Sequence, residues 1–84
     1  MNKEDTKVFF QSDAHRYIFA LTMMDGKSRS NYLGITLDMY YHKEKATKWK
    51  NEILSKINPE FCKIEGAKEA YIKLMNLYNT MIKS

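Results

Sequence analysis

Cysteine, proline and glycine are scarce in this chain of 84 residues, which has one cysteine, one proline and three glycines. The lone Cys62 excludes an internal disulfide and a four-cysteine zinc site. A chain that folds without disulfides suits a reducing compartment, so we expect a cytoplasmic protein. The few glycines form no Gly-rich phosphate loop of the kind that cradles nucleotides.

Long apolar runs are also missing. No run approaches the roughly 18 residues that a membrane-spanning helix requires, so we expect no membrane partner. The segment Met1–Lys7 is polar and lacks the apolar core of a secretory signal, so we expect no such signal.

Groups that carry catalysis are few and scattered. His15 and His42 are the only histidines, and nothing in the sequence places them together as an acid and a base. No serine or cysteine lies in a nucleophile motif, and no ligand spacing indicates a metal. We therefore expect a protein that is not an enzyme and that needs no cofactor and no metal.

The chain does carry an excess of positive charge. Fourteen basic residues against ten acidic ones give a formal charge of +4 and a pI near 9.2. This balance permits a nucleic-acid or an acidic protein partner. The length predicts a single domain, residues 1–84, with a thin core that buries roughly 60–65% of the unfolded surface.

Alternating apolar residues predict strands in the first half of the chain. Val8–Phe10 fits an edge strand, and the segment from His15 to Met24 alternates more clearly. One face of that segment would carry Tyr17, Phe19, Leu21 and Met23. The segment Asn31–Asp38 alternates again, and Asp25-Gly26 between the two is a hairpin signal. Together these patterns predict a three-stranded antiparallel sheet.

The length of the hairpin loop decides which residues face the core. A two-residue loop would place Leu33 on the face of Ile18, whereas a three- or five-residue loop places it on the face of Tyr17. We favour the longer loop because it gathers the apolar residues on one side of the sheet. The outer face would then carry Arg16, Ile18, Ala20, Thr22, Tyr32, Gly34 and Thr36.

Helical periodicity marks the second half of the chain. Asp38 is a candidate N-cap for a helix that runs to about Ile57, and Asn58-Pro59 would end it. The predicted buried stripe is His42, Ala46, Trp49, Ile53 and Ile57. Residues 61–65 fit either a helical turn or a short strand, and a last helix is predicted over Ala67–Lys83. The predicted fold is α+β, with the three-stranded sheet packed on the long helix and the C-terminal helix following (βββαα).

Clustered cations give the candidate binding residues. The hairpin tip would present Lys27 and Arg29 to phosphates, although a solvated turn has a similar composition. Lysines of the long helix add positive charge, or else cover the core with their aliphatic stems. Tyrosine rings can stack on bases. The nucleic-acid-binding candidates are Arg16, Tyr17, Lys27, Arg29, Tyr32, Lys43, Lys45 and Lys48.

Several short motifs occur in one order: Arg16-Tyr17, Asp25-Gly26-Lys27, Tyr32-Leu33-Gly34 and Glu44-Lys45-Ala46. With these motifs, residues 15–57 resemble the ethylene-response-factor type of DNA-binding domain and the related arm-binding domains of phage and transposon integrases. The resemblance implies three antiparallel strands packed on one helix, with the exposed sheet face lying on DNA. It also implies contacts from Arg16, Tyr17, Lys27 and Arg29.

Two functions are consistent with these features. The first is a small basic protein that binds RNA or DNA through the hairpin tip and the outer sheet face. The second is a small inhibitor or adaptor of the phage or mobile-element kind, which blocks a host nuclease, toxin or defence factor, alone or together with its RNA. The last helix has an apolar face broader than one sheet needs. This face would pack on the preceding long helix as well, or form a homodimer or partner interface at Tyr71, Met75, Tyr78 and Ile82.

Overall fold

The computed structural model describes residues 13–83, which form five helices. They are α1 (Asp13–Met23), α2 (Gly26–Leu33), α3 (Asp38–Tyr41), α4 (Lys43–Ile57) and α5 (Ala67–Lys83). No strand occurs between residues 13 and 83, so the predicted three-stranded sheet and the α+β class are wrong. The predicted edge strand Val8–Phe10 lies outside the described residues.

The core lies where α1, α4 and α5 pack against one another. Each helix contributes an apolar stripe, and the largest fully buried side chains are Leu21, Ile53, Ile57, Leu74 and Met81. Each of the three helices also buries an alanine completely, and these are Ala20, Ala46 and Ala70. Small side chains at such positions allow neighbouring helices to approach closely. The two short helices, α2 and α3, lie between α1 and α4 in the chain.

The predicted strand from His15 to Met24 is instead the helix α1. Its apolar residues also repeat at helical spacing, because Ala14, Ile18 and Leu21 are separated by four and three positions. The helix buries Ile18 and leaves Phe19 48% exposed and Met23 73% exposed. The predicted inner face was therefore wrong for Phe19 and Met23, because α4 and α5 cover a helical stripe of this segment.

Asp25-Gly26 joins two helices rather than two strands. Asp25 has extended backbone angles (φ −148°, ψ 171°), and its carbonyl oxygen accepts the N–H of Arg29 at 3.2 Å. Asp25 is thus the N-cap of α2, a position where aspartate is common. The predicted hairpin tip does not exist, and Lys27 and Arg29 lie on the first turns of α2 instead.

Gly34 ends α2, so the predicted third strand is wrong as well. Its φ of 74° is left-handed, and its N–H donates to the carbonyl of Asn31 at 3.3 Å. The N–H of Ile35 donates to the carbonyl of Ser30 at 2.9 Å. These two bonds form a Schellman motif, which requires a residue that tolerates positive φ. Glycine meets that requirement without steric strain.

We expect Gly34→Ala to lower the free energy of unfolding by about 1–2 kcal/mol, because an L-residue is strained in the left-handed region. A Cβ at this position would meet no atom within 4 Å, so the loss isolates the backbone effect. Urea denaturation followed by circular dichroism measures it. Ser28→Ala, on the exposed side of α2, is the matched control and should leave stability nearly unchanged. Equal stability of the two variants would contradict the Schellman ending.

The predicted helix from Asp38 to Ile57 is interrupted at His42. This residue has extended angles (φ −127°, ψ 102°) and separates α3 from α4. Because its side chain is exposed, the place of His42 in the buried stripe was wrong. The other members of the predicted stripe are buried as expected: Ala46, Trp49, Ile53 and Ile57. The predicted end of the helix at Ile57, before Asn58-Pro59, is confirmed.

The last helix has the predicted bounds, Ala67–Lys83. Residues 61–65, which fitted a helical turn or a strand, form turns and irregular backbone. The carbonyl of Asn58 accepts the N–H groups of Phe61 at 3.1 Å and Cys62 at 2.8 Å. None of the helices between residues 13 and 83 has the length and apolar character needed to cross a bilayer.

Candidate functional site

The predicted binding residues lie on three helices and share no single face. Arg16 and Tyr17 are on α1. Lys27, Arg29 and Tyr32 are on α2, and Lys43, Lys45 and Lys48 are on the first turns of α4. The outer sheet face that would have brought them together is absent from the described residues. Each group therefore has its own set of contacts.

Arg16 and Tyr32 are partners of each other. The Arg16 Nε donates to the Tyr32 hydroxyl at 3.3 Å, and the guanidinium carbon lies 5.9 Å from the ring centroid. This hydrogen bond, helped by Asp13 at 3.6 Å, raises the pKa of Arg16 above its ordinary value. Asp13 also contacts Lys56 of α4 at 3.6 Å. The contact between Arg16 and Tyr32 thus links α1 to α2. A phosphate bound at Arg16 would compete with Tyr32 and Asp13 for the guanidinium.

The lysines of α4 diverge. Because each helical residue turns about 100°, Lys43 and Lys45 point roughly 160° apart around the axis. Lys45 is paired with Asp38, with an Nζ to Oδ2 distance of 3.2 Å. Lys48 shares an exposed concavity with Glu44 and Glu52, whose carboxylates offset its charge. These lysines do not form a continuous cationic patch.

The broad apolar face of α5 is partly occupied by α4. The Tyr78 hydroxyl lies 2.9 Å from Thr47 Oγ1, and Lys50 Nζ lies 4.9 Å from the Tyr78 ring centroid. Ile82 also packs against the core. Tyr71 remains 36% exposed beside Leu54 and Pro59, and Met75 is half-buried. Of the four predicted interface residues, Tyr71 is thus the one that presents most surface.

Arg29 is placed differently from the other candidates, because it faces α5. It lines a recess of about 270 Å³ whose other walls come from one side of α5. We call this the α2–α5 recess, lined by Arg29, Lys73, Asn76, Leu77 and Thr80. The four α5 residues follow one another at spacings of three, one and three, which places them on one helical face.

Arg29, which lines the α2–α5 recess, carries one donor without a partner among the described residues. Arg29 Nε is buried, and it makes no hydrogen bond with any residue between 13 and 83. A buried donor left unpaired costs about 1–3 kcal/mol. Lys73 and the Asn76 amide lie along the same recess, and no carboxylate lines it. Two cations and an amide therefore line the recess, whereas the Arg29 Nε itself is closed to solvent.

The neighbouring sequence strengthens the positive potential. The helix α2 contains no acidic residue, although Asp25 precedes it at the N-cap. In α5 the last acidic residue is Glu69, after which Lys73 and Lys83 carry the only charges. The surface shared by Arg29 and the second half of α5 is thus cationic, whereas the other described lysines are interspersed with acids.

Sequence reasoning found Arg29 but missed Lys73 and Asn76. The apolar face of α5 is the more visible feature of its sequence. One signal was present, because Lys73, Asn76 and Thr80 recur at helical spacing in a stretch without carboxylates. Nothing local, however, indicates that Arg29 lines a recess together with that stretch.

Comparison with known proteins adds no relative, since no protein-family model, curated protein or solved structure matches this chain. Within residues 13–83, no group of three or more His, Cys, Asp or Glu side chains is positioned to hold a metal ion.

Proposed function

We propose that this protein binds nucleic acid, RNA or DNA, through the α2–α5 recess. The observation that carries the proposal is that Arg29 and Lys73, from two different helices, line one recess without a carboxylate. Phosphate oxygens accept hydrogen bonds from arginine, lysine and amide donors, and such contacts supply most of the affinity for a nucleic-acid backbone. The net charge of +4 favours the encounter with a polyanion.

The double variant Arg29→Gln with Lys73→Gln tests the proposal. We expect the dissociation constant for a labelled oligonucleotide to rise about tenfold and the slope of log K against log salt to fall by about two, one for each lost phosphate contact. Glutamine keeps a polar side chain of moderate length, and it removes the charge together with some of the N–H donors. Fluorescence anisotropy over a series of salt concentrations gives both quantities, with single-stranded RNA, single-stranded DNA and duplex DNA in parallel.

A matched control removes the same charge elsewhere. Lys43→Gln with Lys48→Gln lies on α4, where the lysines diverge, and should change the salt slope little. If the control variant weakens binding as much as the recess variant does, the attraction is delocalised and the recess is not the site. If only the control weakens binding, the site belongs to α4.

A second candidate function is the small inhibitor or adaptor that binds a host protein. One observation favours it, namely that Phe19 and Met23 are exposed one turn apart on α1. Contiguous exposed apolar patches mark protein contacts, and this pair would be the centre of such a patch. The cytoplasmic location and the homodimer remain predictions. Light scattering at micromolar concentration would show whether the protein is a homodimer.

A further inference from the structure

We propose that a second copy of this chain docks at a groove between the end of α4 and the start of α5, which forms a homodimer with two-fold symmetry. We call this surface the α4–α5 groove. It measures about 370 Å³ and is lined by Leu54, Asn58, Pro59, Glu60, Lys68 and Tyr71. The groove is separate from the α2–α5 recess, so the homodimer does not rest on the proposed function.

The α4–α5 groove has an apolar wall and an exposed aromatic side chain next to it. Leu54, Pro59 and Tyr71 form the apolar wall, and Tyr71 remains 36% exposed there. Phe61 directly follows the groove residue Glu60 in the chain and is 59% exposed. Aromatic side chains are enriched at the centres of protein interfaces, where a few anchors contribute most of the affinity.

A hydrogen-bonded turn holds Phe61 in this exposed position. The carbonyl of Asn58 accepts the N–H groups of Phe61 at 3.1 Å and Cys62 at 2.8 Å. The side-chain Oδ1 of Asn58 accepts the N–H of Glu60 at 2.9 Å. Because these three bonds fix the backbone before any partner arrives, docking of Phe61 costs little conformational entropy.

The position of Phe61 beside the groove favours a second copy of the same chain as the occupant. In a two-fold interface one patch faces an identical patch, so each copy supplies both a protruding group and the hollow that receives it. A two-fold axis between Phe61 and the groove would place Phe61 of each copy in the groove of the other.

The charges of the groove are complementary to themselves in the same way. Glu60 and Lys68 both line it, and neither forms an ion pair with any residue between 13 and 83. The same two-fold axis would bring Glu60 of one copy to Lys68 of the other, twice in each dimer. Since one acid and one base cancel, the groove does not attract a polyanion as the α2–α5 recess does.

Docking at the α4–α5 groove leaves the α2–α5 recess open. Each residue of a helix turns about 100°, so Lys73, Asn76 and Thr80 point roughly 140–200° away from Tyr71 around the axis of α5. Dimer formation and nucleic-acid binding would therefore use opposite sides of the same helix.

Sedimentation velocity over a series of protein concentrations tests the homodimer. We expect Phe61→Ala to raise the dissociation constant of the dimer at least about tenfold, because it removes an interface anchor. Phe19→Ala is the matched control, since it removes an aromatic ring of similar exposure from α1, and it should leave the dissociation constant unchanged. Both side chains are exposed, so neither change disturbs the core, and circular dichroism verifies the fold of each variant.

Charge reversal tests the two-fold pairing itself. Glu60→Lys puts two lysines in the groove and Lys68→Glu puts two acids there, so each single variant sets like charges against each other in its own dimer. We expect the dissociation constant of each to rise about tenfold, because like charges across an interface are unfavourable. An equimolar mixture of the two variants should dimerise again, since every pair across the axis is then one acid and one base.

Three results would overturn the homodimer at this groove. A monomer at every concentration up to about 100 μM would exclude it and favour a different protein as the occupant. Equal effects of Phe61→Ala and Phe19→Ala would place the interface elsewhere. A mixture of the charge-reversal variants that dimerises no better than its components would contradict the two-fold pairing of Glu60 with Lys68.

Discussion

Replacing Trp49 by alanine should lower the free energy of unfolding by about 3–5 kcal/mol. The side chain is only 6% exposed, and it lies in the core stripe of α4. Its Nε1 donates to the carbonyl of Leu33 at 2.9 Å, a bond that satisfies a carbonyl at the end of α2. Alanine would leave a cavity and an unpaired carbonyl together. Since small domains are stable by only about 5–15 kcal/mol, this one change would remove a large share.

Trp49→Phe separates the two contributions. Phenylalanine keeps most of the apolar volume and loses the Nε1 donor, so we expect a smaller loss of about 1–2 kcal/mol. Urea denaturation with an unchanged m-value would show that stability, and not compactness, has changed. Losses of equal size for the two variants would contradict the packing role, because the hydrogen bond would then account for the whole effect.

The two long helices could be predicted from the sequence, because their signals are local. In α4 the residues Ala46, Trp49 and Ile53 repeat at helical spacing, and Pro59 follows the end. In α5 the periodic stretch continues for 17 residues. In a stretch of this length the apolar residues fit the helical repeat and do not fit the strand repeat. The spacing of the apolar residues and the helix propensity of the other residues therefore both predict a helix.

The first half of the chain could not be predicted in this way, because its apolar segments fit two periods. The segment around Ile18 alternates as a strand does and also repeats as a helix does. Asp25 suits a hairpin turn and equally an N-cap, and Gly34 suits a strand bulge and equally a Schellman ending. The choice is made by tertiary packing, since only a helix presents Ile18 and Leu21 together to α4 and α5.

The candidate site was half predictable for a related reason. Arg29 stood out as a cation in a polar segment, which is a local property. Its partner Lys73 lies far along the chain, on a helix whose apolar face was the more visible feature. The α2–α5 recess includes Arg29 because this residue lies on a helix, and the predicted hairpin would have placed Arg29 in solvent. An error in secondary structure thus hid the second half of the site.

A pair of neighbouring substitutions distinguishes the helix from the strand directly. Ile18 is 6% exposed, and its Cγ2 lies 3.1 Å from where a Cβ of Gly66 would stand, so it packs closely at the start of α5. We expect Ile18→Ala to lower the free energy of unfolding by about 2–4 kcal/mol. Phe19 is 48% exposed, so Phe19→Ala should lower it by less than about 1 kcal/mol.

The order of these two losses is the decisive result. In the sheet that the alternation predicted, Ile18 was on the outer face and Phe19 on the inner one, so the larger side chain would have contributed more. In the helix the smaller side chain contributes more, because α1 directs Ile18 into the core and Phe19 toward solvent. Urea denaturation of both variants measures the order within one experiment. A larger loss for Phe19→Ala would contradict the placement of α1, and with it the position of α2 that forms the recess.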